Sequence, residues 1–442
     1  MTTKARPIAA RRAVPGPAAA RLRQRRMTLL QALKLPPDAL PGSLALSYTR
    51  CGKPTCHCAG GEGPGHPGDG RPRPQIPAAA LLWALLIGQV LREWSFAAIE
   101  ALVRSPARRA LMVSRAFSDD TLGYFTERLR PAPTRQALAT VLQRTKRNKG
   151  FDDTRFLGLA LDGTATSMCT VERCPLCRPV RDADQVLGYR HEFSLVSLVG
   201  DGALSLPFDL EPYGPGDSEY AASQRLLDRA VAALGSRFAD YVVADGEYAT
   251  APFLHRVQEL GLWVVARLKA NLPLLQQAVE ARFRDPRPTH TFEEHGDRIE
   301  LWDADDFDPW DTLRWTSVRV LRYRQHKPDG TVVQADWLTN APASRVGSRA
   351  LFRMAKSRWQ VENQGFNDAK NRHGLEHLCH HHANSLVVGW LVIVLALCLE
   401  RLYRLRYLHR GTHPGPSAIE FVRALRLSLA ARPTPLHLNN SS

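Results

Sequence analysis

FLGLALDGT, residues 156–164, is an apolar run that ends at an acid and a glycine. It reads as a strand buried on both faces, with Asp162 at its C-terminal edge. YVVADGEY, residues 241–248, has the same form and places Asp245 in the same way. Solvation of a strand face does not explain an acid at such a position, whereas the carboxyl ends of strands in an α/β sheet are where ligands and metals gather. Taken singly, each Asp-Gly also reads as a turn. Two of them in this order, followed by the acid of RWQVENQGFNDAK (residues 358–370), point to a site.

Around these strands the pattern is that of a mixed α/β sheet. HEFSLVSLV (191–199) and ALSLPFDL (203–210) read as further strands, DSEYAASQRLLDRAVAALG (217–235) as an amphipathic helix, TAPFLHRVQELG (250–261) as a helix and LWVVARLKAN (262–271) as a strand. From 273 to about 345 the rhythm changes, and HTFEEHGDRIELWD, SVRVLRYRQH and VVQADWLTN read as strands of an inserted β element. Helices resume near Gly347 and run to about Arg410. Upstream, AAALLWALLIGQVL, SFAAIEALV and DDTLGYFTERL carry apolar residues at helical spacing, with Ser118 and Asp119 as N-cap candidates. The expected organisation is a basic arm (1–45), a Cys-rich loop segment (46–75) and a helical domain for DNA binding (76–148). The first part of the catalytic domain (150–272), the β-rich insertion (273–345), the C-terminal catalytic helices (346–410) and a tail (411–442) follow.

The chain has 442 residues, of which 44% are hydrophobic and 23% charged, as expected of a globular protein of several domains. Its 59 Lys and Arg against 43 Asp and Glu give a net charge of +16. That surplus suits a polyanionic partner, and equally a basic protein from an Arg-rich genome. The first 26 residues hold eight Lys or Arg, no acid and no apolar core of a secretory signal, as expected of an arm lying along phosphates. LVVGWLVIVLALCL (386–399) falls short of the roughly 20 residues of a membrane span and reads as a buried core helix.

Phosphodiester cleavage calls for carboxylates that hold two hard divalent ions about 4 Å apart. Asp162, Asp245 and Glu362, on separate elements, are the acids best placed for that role. The ordered set D-G-T, A-D-G-E-Y and R-W-x-x-E-N-x-G-F resembles the insertion-sequence DDE transposases, in the branch with a β-rich insertion between the second Asp and the Glu. The resemblance covers about residues 150–410. It implies an RNase H-like catalytic domain and a triad of Asp162, Asp245 and Glu362 holding two Mg²⁺ or Mn²⁺. It also implies that Arg358 contacts phosphate as the arginine of the Y-R-E-K signature, that the partners are terminal inverted repeats and target DNA, and that copies assemble on DNA. A cytoplasmic, nucleoid-associated protein with no membrane partner is expected.

Two positions depart from the signature. Ala355 stands where its tyrosine falls, and Ala369 where its lysine falls, with Lys370 one residue further on. At about 100° per residue, Lys370 is rotated by about 80° from the Glu362 line, and a one-residue helix irregularity would compensate. His373, about 20° off that line but three turns away, is the alternative basic contact. A decayed or domesticated copy that only binds DNA, and a nuclease without strand transfer, remain open on the same residues.

Six of the eight cysteines fall in two groups. Cys169, Cys174 and Cys177 in MCTVERCPLC, with His191 in YRHEF, form one candidate zinc set. Cys51, Cys56 and Cys58, with His57 and His66 nearby, form a weaker second set; unmetallated thiols, or one site drawing on both groups, are the competing readings. Cys398 reads as a buried small hydrophobe. The histidines of HLCHHHANS (377–385) are expected to be polar or phosphate-facing rather than metal ligands.

Overall fold

The computed structural model describes residues 74–110, 113–200, 204–284, 287–405 and 416–430. The expected basic arm and all but the last two residues of the Cys-rich segment, with Cys51, Cys56, Cys58, His57 and His66, lie outside the described residues.

The two acid-bearing segments lie beside each other. β1 (Leu157–Ala165) is fully buried over its first five residues, and β6 (Tyr241–Ala244) is buried throughout. β1 pairs in parallel with β6, which pairs in parallel with β7 (Trp263–Leu268). On its other edge β1 pairs antiparallel with β4 (Glu192–Gly200), and β4 pairs antiparallel with β5 (Ser205–Tyr213). The resulting order β5-β4-β1-β6-β7, with β4 alone running against the other four, is the RNase H-like arrangement. Between β1 and β4 a small hairpin stands apart, made of β2 (Arg178–Asp182) and β3 (Gln185–Arg190).

Helices cover both faces of this sheet, which is why its strands are apolar throughout rather than alternating. On one face lies α6 (Glu219–Leu234), whose N-terminus is capped by Ser218 Oγ accepting from the Ala221 amide at 3.2 Å. Its Ser223 donates to Ser194 Oγ of β4 at 2.9 Å. On the opposite face, beside Leu195, lies the segment that carries Glu362.

The expected β insertion is realised as strands of the same sheet. β11 (Val332–Thr339) pairs antiparallel with β7, and β10 (Val318–His326), β9 (Asp297–Phe307) and β8 (His290–Glu294) follow outward, so the sheet reaches nine strands. Pattern reading misses the β2–β3 hairpin and, within the insertion, α8 (Pro273–Arg282), which begins at a proline where the absent N–H costs nothing. α7 (Ala251–Glu259) precedes β7, as expected.

The upstream helices are α1 (Ala78–Val90), α2 (Phe96–Arg104), α3 (Ala107–Ala110), α4 (Asp119–Arg128) and α5 (Pro131–Arg147). After β11 come α9 (Ser348–Lys356), α10 (Asn367–His373), α11 (Ala383–Tyr403) and α12 (Ala418–Ala430). α11 is long and apolar enough to cross a membrane, yet it is mostly buried between β5 and the helices α1, α4 and α5. One apolar core therefore joins the upstream helices to the sheet. Ser118 does not cap α4 as expected; instead the Glu100 carboxylate accepts from the Asp119 amide at 2.9 Å.

Candidate active site

Asp162 on β1, Asp245 just after β6 and Glu362 are separated by long stretches of chain, and all three face one guanidinium. Arg358 Nη2 lies 3.8 Å from an oxygen of Asp162 and 3.8 Å from one of Asp245, and its Nη1 lies 3.9 Å from Glu362. Arg358 is therefore more than one half of a surface i,i+4 pair, which alone would contribute a few tenths of a kcal/mol. The two aspartates are 17% and 19% exposed and Glu362 is 57% exposed, so the cluster is walled on one side and open on the other.

Burial pushes the Asp162 carboxyl up to about 6, with Arg358 opposing the shift and Glu219 and Glu362 adding to it. Burial acts on Asp245 too, but there the bond from Lys269, the Gly246 amide and Arg358 together hold the carboxyl below its usual value. A buried carboxylate that one guanidinium at 3.8 Å leaves under-compensated is the environment that a divalent cation relieves, and three oxygen donors on separate elements suit a hard ion. The donor set therefore fits Mg²⁺ or Mn²⁺, with Asp162, Asp245 and Glu362 as the residues that would hold them.

Both Asp-Gly pairs serve the site by close approach, and Asp245-Gly246 also opens a 3-10 turn over Gly246–Tyr248, in which the Tyr248 amide donates to the Asp245 carbonyl at 3.1 Å. A Cβ on Gly163 would stand 2.1 Å from the Glu219 carboxylate, and one on Gly246 would stand 2.7 Å from the Lys269 side chain. Each glycine thus admits a charged residue that sequence reading does not select. Glu219, in the first turn of α6, accepts from the Tyr248 hydroxyl at 2.7 Å and is a fourth carboxylate beside Asp162. Lys269 Nζ donates to Asp245 at 2.6 Å. The available signal was the glycine itself: a residue without a Cβ beside a site acid marks a place where something packs close.

Val361–Phe366 forms a π turn between α9 and α10. Such a turn winds one extra residue into the helix, and its freed carbonyls need outside donors. Arg401 of α11 donates to the Gln364 carbonyl and, at 2.6 Å, to Asp368, while Ser205 Oγ donates to the Gln360 carbonyl at 3.2 Å. The extra residue takes back about 100°, which brings Lys370 to about 20° from the Glu362 line. Lys370 Nζ donates to the Ala165 carbonyl at the end of β1 at 2.9 Å and pairs with Glu376 at 3.2 Å. The same rotation turns His373 away: it is fully buried, 3.5 Å from Glu400, and burial holds its imidazole below the usual value. His373 is therefore not a phosphate contact in this arrangement, a correction to the alternative that its spacing suggested.

Beyond β1, Cys174, Cys177 and His191 converge in the interior. The Sγ atoms are 3.8 Å apart, and His191 Nε2 lies 3.1 Å from Cys174 and 3.4 Å from Cys177. Burial raises the Cys174 thiol to about 11 and lowers His191 to about 4. Cys169, the fourth residue expected there, is not among them; its thiol points at the carbonyls of Tyr189 and Val171. Cys398 is fully buried in α11, as a small hydrophobe would be. The 377–385 run packs the upstream helices against α11 rather than facing outward as a unit. His380 bonds Glu127 at 2.7 Å, and Asn384 donates to the carbonyls of Thr126, Glu127 and Leu129 that end α4.

A family model described as a transposase DDE domain matches residues 156–399, and one described only as a domain of unknown function matches residues 19–67. No curated protein matches the chain. Among solved structures the chain is similar to the piggyBac transposase in a synaptic complex with hairpin DNA, at 12% identity and a TM-score of 0.42, over 79% of this chain and 70% of that one. The family match spans more than half of the chain and contains the strands, both aspartates, Arg358 and Glu362; the protein belongs to the DDE transposases.

Proposed function

We propose that the chain cleaves phosphodiester bonds at the terminal inverted repeats of its own element and joins the freed 3′-OH ends to target DNA. The observation that carries this reading is the convergence of Asp162, Asp245 and Glu362 within 4 Å of the Arg358 guanidinium. Two divalent cations at these acids would supply an activated attacking oxygen and a stabilised leaving oxygen for in-line displacement. The chain's own contribution is positioning. β1 and β6 hold two carboxylates at adjacent strand ends, the π turn presents the more exposed Glu362 toward them, and Lys269 keeps Asp245 ionised. Arg358 offsets only part of the charge of the three acids in the metal-free chain, and with cations in place its guanidinium is free to engage a phosphate, with Lys370 beside the end of β1 as the second cation.

End recognition falls, in this proposal, to the upstream helices and the basic N-terminal arm, and the charge surplus of +16 supports a phosphate-dominated contact. Copies assemble on DNA in the bacterial cytoplasm. A second reading, a metal-dependent nuclease without strand transfer, rests on the same acids. The two separate in one experiment, in which purified chain and Mg²⁺ are given labelled linear DNA carrying the sequences that flank the gene, together with a supercoiled target plasmid. Labelled ends covalently joined to the plasmid are the expected outcome. Cleavage of the labelled DNA with no joined product at any metal concentration would discard the strand-transfer reading in favour of the nuclease.

A further inference from the structure

We propose that Cys174, Cys177, His191 and His381 form a closed, structural Zn²⁺ site that clasps the loop after β1 to the start of α11. An ion with Zn–S near 2.3 Å and Zn–N near 2.0 Å in a tetrahedron sets S···S at about 3.8 Å and S···N at about 3.5 Å. The observed separations are 3.8 Å for the sulfurs and 3.4 Å and 3.1 Å from sulfur to His191 Nε2. Two of the three match, and the third needs only a small side-chain rotation. All three groups are under a tenth exposed, and His191 Nδ1 has no partner. Backbone amides already donate to the sulfurs, Arg173 to Cys177 at 3.4 Å and Leu176 and Cys177 to Cys174, an environment that suits thiolates.

In the proposal His381 supplies the fourth ligand in place of the expected Cys169; like Cys169 it lies outside the close set of Cys174, Cys177 and His191, so its ring must swing inward to reach the ion. Its ring lies 5.8 Å from that of His191, centroid to centroid, and its Nδ1 is buried without a hydrogen-bond partner. Cys169 is bound into the mouth of the hairpin, where its backbone exchanges bonds with Tyr189 at 2.8 Å and its thiol lies 3.3 Å from the Tyr189 carbonyl. The four ligands come from three places in the chain: a tight turn after β1, the residue before β4, and the segment before α11. Two thiolates and two imidazoles complete the coordination of Zn²⁺, so no position is left for a reacting water, and the site's role is to fix the fold beside the acids. Trp390 of α11 packs on Phe193 at 4.8 Å and on His191 at 6.1 Å, so the ion would lock a junction that apolar packing already forms.

The test uses the full chain with Cys51, Cys56 and Cys58 changed to serine, so that the N-terminal thiols do not contribute. Metal analysis after dialysis should find one equivalent of zinc per chain, and replacement by Co²⁺ should give the intense visible bands of a tetrahedral site. Cys177→Ser should halve the thiolate-to-cobalt charge-transfer band, as one of two thiolates is lost. His381→Ala should weaken zinc retention against a chelator by at least about tenfold, and Cys169→Ser should leave retention and spectrum unchanged. His381→Cys, which keeps a ligand in place should the alanine variant fold poorly, should retain zinc and raise the charge-transfer band by half. Absence of bound metal in the parent chain, or an octahedral cobalt spectrum, would overturn the site. Loss of zinc on Cys169→Ser with none on His381→Ala would overturn the assignment of the fourth ligand.

Discussion

Two clusters of side chains with the chemistry of metal ligands lie near the end of β1, and they differ in donor type, burial and charge. The acid cluster is oxygen-only, open along Glu362, and carries its own provisional counter-ion in Arg358. The cysteine and histidine cluster is sulfur and nitrogen, closed and buried, and has no charged partner. Hard, exposed and strained by burial of charge describes a place for exchangeable divalent cations and chemistry; soft, enclosed and apolar describes a place for a permanent ion and stability. The contrast teaches that nearness to the catalytic strand does not define a site's role, whereas donor type and access to solvent do.

The sharpest way to break this contrast is to exchange the consequences. Cys177→Ser should lower thermal stability by more than about 4 kcal/mol, the range reached when a structural metal is lost, while the folded fraction retains metal-dependent DNA cleavage. An unchanged melting transition would make the cluster an incidental pair of thiols. Next in size is the π turn. Arg401→Met leaves the Gln364 carbonyl and Asp368 without their buried donor and should cost roughly 3 kcal/mol. Because the turn sets the direction of Glu362 and Lys370, its loss should also reduce cleavage more than end binding; equal losses in both would remove the π turn from the account.

Asp162 gives a prediction of opposite sign. The folded chain holds this proton until about pH 6, while the unfolded chain releases it near 3.8. Stability of the metal-free protein is therefore fullest below about 4 and falls as pH rises through 6, by at most roughly 3 kcal/mol. Asp162→Asn should recover that loss at pH 8 and flatten the profile, and Mg²⁺ should stabilise the parent at pH 8 but not this variant. A denaturant titration in which the parent shows no such slope would contradict the strained acid. The smallest effect concerns Lys370: its change to alanine should weaken end binding modestly and lower the salt slope by roughly one counter-ion, with His373→Ala leaving the slope unchanged.

Much of the site was legible because strand burial and acid placement are local signals. The strands of FLGLALDGT and YVVADGEY announce two carboxylates at strand ends, and the ordered third acid completes the set; that the two strands are neighbours comes only from their parallel pairing. What escaped reading depends on contacts between distant segments. Glu219 and Lys269 reach the acids only because Gly163 and Gly246 leave room, and a lone Asp-Gly reads equally as a turn. The π turn has no compositional mark that separates VENQGF from an ordinary helix, since it depends on Arg401 some 37 positions away satisfying a carbonyl that the turn frees. Ligand spacing favoured Cys169, but the β2–β3 hairpin turns that thiol outward and the fold brings His381 from the far end of the chain instead. In the fold, the inserted strands were visible as a change of rhythm after residue 273, while their place as an extension of the same sheet follows from β11 pairing with β7, which no local pattern encodes.

The most direct test of the central claim compares the parent chain with Glu362→Gln on DNA carrying the sequences that flank the gene, measuring cleavage rate in Mg²⁺ and binding by mobility shift in the same samples. Cleavage by Glu362→Gln should fall by at least about a thousandfold, of the size seen when a group acting in the transition state is removed, with binding changed less than about threefold. A rate close to that of the parent would contradict the central claim, because the third carboxylate would then have no part in the chemistry.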